Sequence, residues 1–400
     1  MRISTQQFFQ LNMNSLQEHA ERLSNTQLQL TRGEKLLAPA DDPGVATRIL
    51  GLEQRIASLQ QYDRNLTQLE SNLLTEETAV TQVHAVLDDA RERLIDINNG
   101  VHSLADYQSF ADDLTQMRDQ LFSLANGKNA SGEFMFAGTA TGSQPFLRDA
   151  SGAYIYQGNQ QIREVPVAVN RTLAQGDTGY QLFVDIFNGN QGVSASVNPA
   201  NSGTGVVGQV GPSQPGSYNG DHLRVRFTAP DSYDLINVTT ATTVATAQPY
   251  TSGDSISFSG INITLEGQPA TGDEFDFVAS QRQTPFSMLD DLVNTLTATS
   301  SAPNDLAKLT NAVNRGLENI DAALEQSIGV RTRVGNRLQT LDTVRDANQA
   351  FDISYRTTLS ELQDLDFTAA AARLADQQSA LEIAQAAFVR VQGLSLFNFL

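Results

Sequence analysis

Residues 45–101 read VATRILGLEQRIASLQQYDRNLTQLESNLLTEETAVTQVHAVLDDARERLIDINNGV. Apolar side chains recur at Val45, Ile49, Leu52, Ile56 and Leu59, then at Tyr62, Leu66, Leu69, Leu73, Val80, Val83, Leu87, Ala90, Leu94, Ile97 and Val101, with Glu76 completing the row between Leu73 and Val80. The steps alternate between three and four residues, which puts the row on one stripe of an α-helix; a strand would need a step of two. The break at Leu59–Tyr62 is a stammer, a local overwinding of a supercoil. As one helix the segment runs about 85 Å, at 1.5 Å per residue. Asp41-Asp42-Pro43-Gly44 predicts its start, with an Asp side chain capping free amide groups and Pro at an early helical position. Asn98-Asn99-Gly100 predicts its end.

The same spacing continues outward in both directions. Upstream lie Phe9, Met13, Leu16, Ala20, Leu23, Gln27 and Leu30; a shorter stripe follows at Phe110, Leu114, Met117, Leu121 and Leu124. Leu306, Leu309, Val313, Leu317, Ile320 and Leu324 form another, then Val334, Leu338, Leu341, Val344, Asn348, Phe351, Tyr355, Leu359 and Leu362. The last is Phe367, Ala370, Leu374, Gln377, Leu381, Ala384, Phe388 and Val391. First and last stripes are similar in length and share a single Gln among apolar positions, so they are suited to pair as an antiparallel coiled coil joining the chain ends. Between the arms, residues 141–284 hold 17 of the 28 Gly and 8 of the 12 Pro. Alternation at Val165, Val167, Val169, at Leu223, Val225, Phe227, at Ile256, Phe258 and at Ile261, Ile263, Leu265 reads as antiparallel β, with Gly-rich connections from about Gly189 to Gly220. The fold class is α+β: a long coiled-coil-like helical rod formed from both arms, carrying one inserted antiparallel β domain. The expected domains are residues 1–40 with 366–400 for terminal assembly, 41–140 with 285–365 for the helical rod, and 141–284 for the β insert.

Composition narrows the function. A chain of 400 residues exceeds one small domain. The absence of Cys removes disulfide scaffolds, zinc ribbons and thiol catalysis. A net charge of −19 argues against a nucleic-acid partner. No apolar run reaches the length of a membrane span, so membrane insertion is not expected, and MRISTQQFFQ at Met1–Gln10 lacks the pattern of a cleavable signal. Residues 1–40 carry four basic and three acidic side chains and residues 366–400 two and three, so the ends sum to zero and the −19 lies between them. Neutral amphipathic ends on an acidic middle suit self-association through the ends. A two-helix pair alone buries little, so the ends are expected to be loose in the monomer.

Three segments resemble the bacterial flagellin superfamily: GEKLLAPADDPG at Gly33–Gly44, GEFMFAGT at Gly132–Thr139 with Pro145-Phe146 after it, and GVRTRVGNRL at Gly329–Leu338. The Asp-Asp-Pro turn, the Phe-Ala-Gly-Thr segment and the ending LSLFNFL at Leu394–Leu400 are similar to its hook–filament junction branch; flagellin itself and the larger first hook-associated protein share the arms and stand as alternatives. In the insert, Gly267–Phe275 (GQPATGDEF) adds a looser likeness. The resemblance implies a non-enzymatic structural protein without cofactor or metal, forming a ring of its own copies between the first hook-associated protein and the flagellin filament. It further implies export in an unfolded state through the flagellar type III apparatus, with a cytoplasmic export chaperone masking the C-terminal helix. The assembly residues would be Phe9, Met13, Leu16, Ala20, Leu23 and Leu30 against Phe367, Ala370, Leu374, Leu381, Ala384, Phe388 and Val391. Asp41, Asp42 and Pro43 would orient the end helices, and Arg331, Arg333, Asn336 and Arg337 would meet a neighbouring subunit or form an ordinary exposed basic patch.

Other motifs carry less. Gly203-Thr204-Gly205-Val206-Val207-Gly208 matches a dinucleotide fingerprint, but Gly211-Pro212 follows it, so no helix N-terminus faces a pyrophosphate and a β-domain loop is expected. His19, His84, His102 and His222 form no metal pair, and no ordered nucleophile, base and orienter can be named. The doublets Glu76-Glu77, Asp88-Asp89, Asp112-Asp113 and Asp290-Asp291 read as solvated helix faces. A rival of another class, a secreted glycan-binding adhesin or hydrolase, is disfavoured by the absence of Trp and of a catalytic constellation.

Overall fold

The caps of the long helix form as its sequence requires. Helix α2 (Pro43–Asn99) starts with Pro43 as its first residue, and Asp42 Oδ1 accepts from the backbone N–H groups of Gly44 and Val45, each at 3.0 Å. Asp41 Oδ2 accepts from Leu37 N and Ala38 N at 2.9 Å and closes the preceding turn. The computed structural model describes the backbone of residues 5–100 and 102–397, and their side chains except those of residues 5, 6, 8 and 391–397. Val101, which ends the long stripe, is outside the described residues. From Ile56 to Ile97 every stripe position is buried but the half-buried Tyr62.

The chain divides into two units, Met1–Asn65 with Thr343–Leu400 and Leu66–Asp342. Helices α2 and α5 (Pro303–Gln363) contribute to both. The first unit adds α1 (Thr5–Arg32) and α6 (Phe367–Phe397). The second adds α3 (Leu104–Ala125), α4 (Pro285–Ala298) and all the strands.

In the second unit, two hairpins, β1 (Phe146–Arg148) with β2 (Tyr154–Tyr156) and β3 (Glu164–Ala168) with β4 (Arg171–Ala174), precede a π-helical turn at Tyr180–Val184. Phe136, Phe146, Phe183 and Phe286 are fully buried here, with Phe183 at 5.4–5.7 Å between ring centroids from each of the other three. Such edge-to-face and stacked pairs add to the burial of the rings themselves. Two antiparallel sheets follow. One has the order β5 (Val193–Val197), β12 (Glu274–Ala279), β7 (Leu223–Ala229), β8 (Ser232–Asn237), β9 (Thr242–Pro249); the other has β10 (Ser255–Phe258), β11 (Ile261–Glu266), β6 (Val206–Pro212). Their shared core includes Val225, Phe227, Ile261, Ile263, Phe275 and Phe277. Along β7 the residues between the buried ones, Arg224 and Arg226, face away, as a period of two demands. Ser259 and Gly260, with φ of 46° and 86°, link β10 to β11; two successive left-handed residues match the twist of the flanking strands.

Several sequence readings are corrected. The Gly-rich stretch read as connections contains β5, a short alternation at Val193, Ala195 and Val197, and β6, whose buried Val207 and Val210 lie three apart around Gly208 because the pairing shifts register opposite Ile263 and Leu265. The Gly203–Gly208 motif feeds strand β6, and Ser202 N and Gly203 N donate to the buried Asp273 carboxylate at 2.8 and 3.0 Å. In α3 the buried face is Tyr107, Ala111, Leu114, Arg118, Leu121 and Ala125, rotated from the apolar reading because Arg118 turns inward to Asp290. The two doublets Glu76-Glu77 and Asp290-Asp291 are not simply solvated: Glu76 is 4% exposed, Asp290 receives Arg118, Arg148 at 3.0 Å and the Tyr154 hydroxyl at 3.0 Å, and Asp291 accepts from Gln283 at 2.9 Å. Burial pushes the Tyr154 phenol up to about 12, reinforced by its bond to Asp290.

Candidate functional site

Two side-chain groupings stand out, one in each unit. In the first unit α1 and α6 lie antiparallel. Phe9 and Phe388 meet at one end with ring centroids 5.2 Å apart. At the other end Leu365 N donates to Gly33 O and Lys35 N to Gln363 O, both at 2.8 Å, around a bridge between Glu34 and Asp364. On α6 the stripe faces inward: Ala370 is buried, and Leu374, Gln377, Leu381, Ala384 and Phe388 are half-buried. Phe367 is 58% exposed, and the Val391 side chain is outside the described residues. On α1 the inward row is Leu16, His19, Leu23, Thr26 and Leu30. Phe9, Met13, Ala20 and Gln27 stay exposed, so the helix turns slightly away from the stripe read in its sequence. Thr26 fits inside because its hydroxyl bonds back to Arg22 O at 3.0 Å.

The second unit gathers charge. The motif Gly329–Leu338 lies on α5, and two of its arginines turn onto Asp177, a residue with no exposed side-chain surface. Arg337 holds both Asp177 oxygens, at 2.7 and 3.1 Å, and Arg333 Nε reaches Oδ1 at 3.1 Å. Asp177 N in turn donates to Glu76 Oε1 at 2.7 Å. Arg331 and Asn336 are exposed. Thus the predicted basic group divides into two residues engaged within the chain and two open to solvent. Asp177 carried no motif signal; only the tertiary contact reveals it. Nearby on the same helix pair, His84 Nδ1 lies 2.8 Å from Ser327 Oγ, and since that hydroxyl donates to Leu324 O, the imidazole is the donor.

This arrangement ties the Asp177 loop to α2 and α5. Among the described residues no group of three or more His, Asp or Glu is placed to hold a metal ion, and no helix is long and apolar enough to cross a membrane.

Comparison with known proteins agrees with the helical arms. A family model for the bacterial flagellin N-terminal helical region matches residues 3–141. Flagellar hook-associated protein 3 of Escherichia coli (strain K12) is 25% identical over 402 residues, covering 100% of this chain and 99% of that protein. The crystal structure of Xanthomonas campestris FlgL is 30% identical with a TM-score of 0.68, covering 76% of this chain and 99% of that one. The chain belongs to the FlgL family. The flagellar junction protein FlgL of Legionella pneumophila, 25% identical with a TM-score of 0.72, covers 79% of this chain and is itself covered in full. The flagellin-like segments Gly33–Gly44 and Gly132–Thr139 fall inside the region matched by the family model, whereas Gly329–Leu338 lies on the C-terminal arm beyond it.

Proposed function

We propose that this FlgL-family chain is a structural subunit of the bacterial flagellum, seated at the hook–filament junction and joined to its neighbours through α1 and α6. The observation that carries the reading is the antiparallel pairing of the two chain ends, with Phe9 against Phe388 and exposed apolar side chains left over on both helices. Phe9, Met13, Phe367 and Ile383 are 46, 38, 58 and 70% exposed, a surface that copies packed side by side would cover. The partners are further copies in a ring, the first hook-associated protein on one side and flagellin on the other; a cytoplasmic chaperone covers α6 before export. The chain leaves the cell through the flagellar export apparatus, carries out no catalysis, and has its terminal pair as one domain, the helical arms as another and the β insert as a third. Asp41, Asp42 and Pro43 set the angle at which the terminal pair leaves α2, and Arg331 with Asn336 is the exposed part of the basic group available to a neighbour.

The test is electron microscopy of cells lacking this protein. Hooks without filaments, with flagellin secreted into the medium, is the expected outcome. Filaments still attached at normal frequency would contradict the junction role.

A further inference from the structure

Glu76 sits in the apolar stripe of α2, is 4% exposed, and satisfies one oxygen only. Its Oε1 accepts from Asp177 N at 2.7 Å, while Oε2 has no hydrogen-bond partner among the described residues. The backbone closes tightly over that oxygen: a Cβ on Gly176 would lie 2.9 Å from it. A buried carboxylate is tolerated when both oxygens are bonded and a cation neutralises it. Here the cations within reach, Arg333 and Arg337, are committed to Asp177, whose own negative charge stands between them and Glu76. A cavity of about 50 Å³ borders the site, lined by Glu76, Asn72, Glu133, Thr141, Arg163 and Asp177 among others, and has room for water. Across it Glu133 and Arg163 pair with each other at 3.7 Å. The charged groups facing Glu76 are therefore Asp177 from its loop, Arg333 and Arg337 from α5, and the Glu133–Arg163 pair; Asn72, one turn earlier on α2, is neutral.

We infer that Glu76 is carried as the neutral acid in the folded protein, so that folding of the Leu66–Asp342 unit takes up a proton and is favoured in a more acidic medium. As a neutral acid its hydroxyl becomes a donor toward the cavity, which removes the unmatched acceptor, and its second oxygen keeps the bond from Asp177 N. Burial pushes the Glu76 carboxyl from 4.5 up to about 8; the Asp177 charge adds to this, and the Asp177 N–H, Arg337 and Arg333 oppose it. The sign follows directly. Between 4.5 and about 8 the folded chain holds a proton that the unfolded chain has released. Stability from this group is complete below the lower value, falls as pH rises toward the upper one, and is flat above it.

The experiment compares the full chain with Glu76→Gln, which keeps the shape and mimics the neutral acid. Denaturant unfolding is followed by circular dichroism from about pH 4 to about pH 9, and the carboxyl carbon of Glu76 is titrated by NMR. Relative to the variant, the folding constant of the natural chain should fall by up to about tenfold per pH unit across the window, and the variant should be the more stable at its alkaline end. The carbon signal should titrate well above the ordinary range for Glu. Parallel stability curves, or a Glu76 signal titrating at its ordinary value, would overturn the inference. If the variant does not fold, the NMR titration of the natural chain decides alone.

Discussion

Asp177 has no exposed side-chain surface, and guanidinium groups of Arg333 and Arg337 reach it from one helix. Its removal leaves Arg337, 16% exposed, with an uncompensated charge, and buried pairs broken on one side are costly where exposed pairs are not. Asp177→Ala should lower the unfolding free energy by about 3 kcal/mol, whereas Arg333→Ala, at a position 42% exposed, should cost less than about 1 kcal/mol. Urea titration of both variants checks this; equal losses would mean that the exposed arginine matters as much as the buried carboxylate. The polar member of the α2 stripe was visible in the sequence as an oddity among leucines. The doublet Glu76-Glu77 nevertheless read as a solvated face, and the burial of Glu76 overturns that reading. What covers Glu76 was not legible, because Gly176 and Asp177 lie a hundred residues away and no periodicity announces them.

At the scale of elements, the heptad row of α2 is buried from Ile56 to Ile97 except at Tyr62, whereas on α5 Leu309, Val313, Ile320, Val334, Leu341, Val344 and Asn348 are buried but Leu306 and Phe351 are exposed. Leu73 is completely buried in such a row, so Leu73→Ala should cost about 3 kcal/mol, measured by chemical denaturation; a loss under about 1 kcal/mol would mean that the site collapses around the missing atoms. Asn311 interrupts the apolar face of α5 for a different reason. Its amide donates to Gly205 O at 2.9 Å and its carbonyl accepts from Val207 N at 2.8 Å, clamping β6 to the helix. Asn311→Ala orphans both backbone groups; about 2 kcal/mol of stability and the slow exchange of the Val207 amide should be lost together. Unchanged exchange at Val207 would show that β6 is held by its sheet neighbours alone. In the terminal pair, Leu381 is half-buried against α1, and Leu381→Asp places a charge in that seam. Secreted protein that no longer retains filaments on hooks is the expected phenotype, provided the amount secreted is normal.

For the whole molecule, chains lacking residues 1–40 or 366–400 should lose assembly while keeping the strands of the Leu66–Asp342 unit, since the core of the two sheets, including Phe227, Ile263 and Phe277, is drawn wholly from within that unit. Circular dichroism for the fold and electron microscopy for filament retention separate the two; attached filaments with either truncation would refute assembly through the ends. Hydrogen exchange on the monomer should find α1 and α6 less protected than α2, because α1 and α6 keep much of their apolar surface open whereas the α2 row is closed.

The sequence by itself determined the long helices, the Asp42-Pro43 start of α2 and the position of the β insert, because each rests on spacing, capping residues or turn residues within a few positions of one another; the pairing of the chain ends was legible only through the likeness of two distant stripes. The tertiary structure alone decided the inward turn of Arg118, the slight rotation by which α1 prefers His19 and Thr26 over Ala20 and Gln27, and the enclosure of Glu76 by Asp177 and its arginines. Those outcomes depend on which distant side chain supplies the matching charge, hydrogen bond or gap, and a linear pattern holds no record of that partner until the chain has folded.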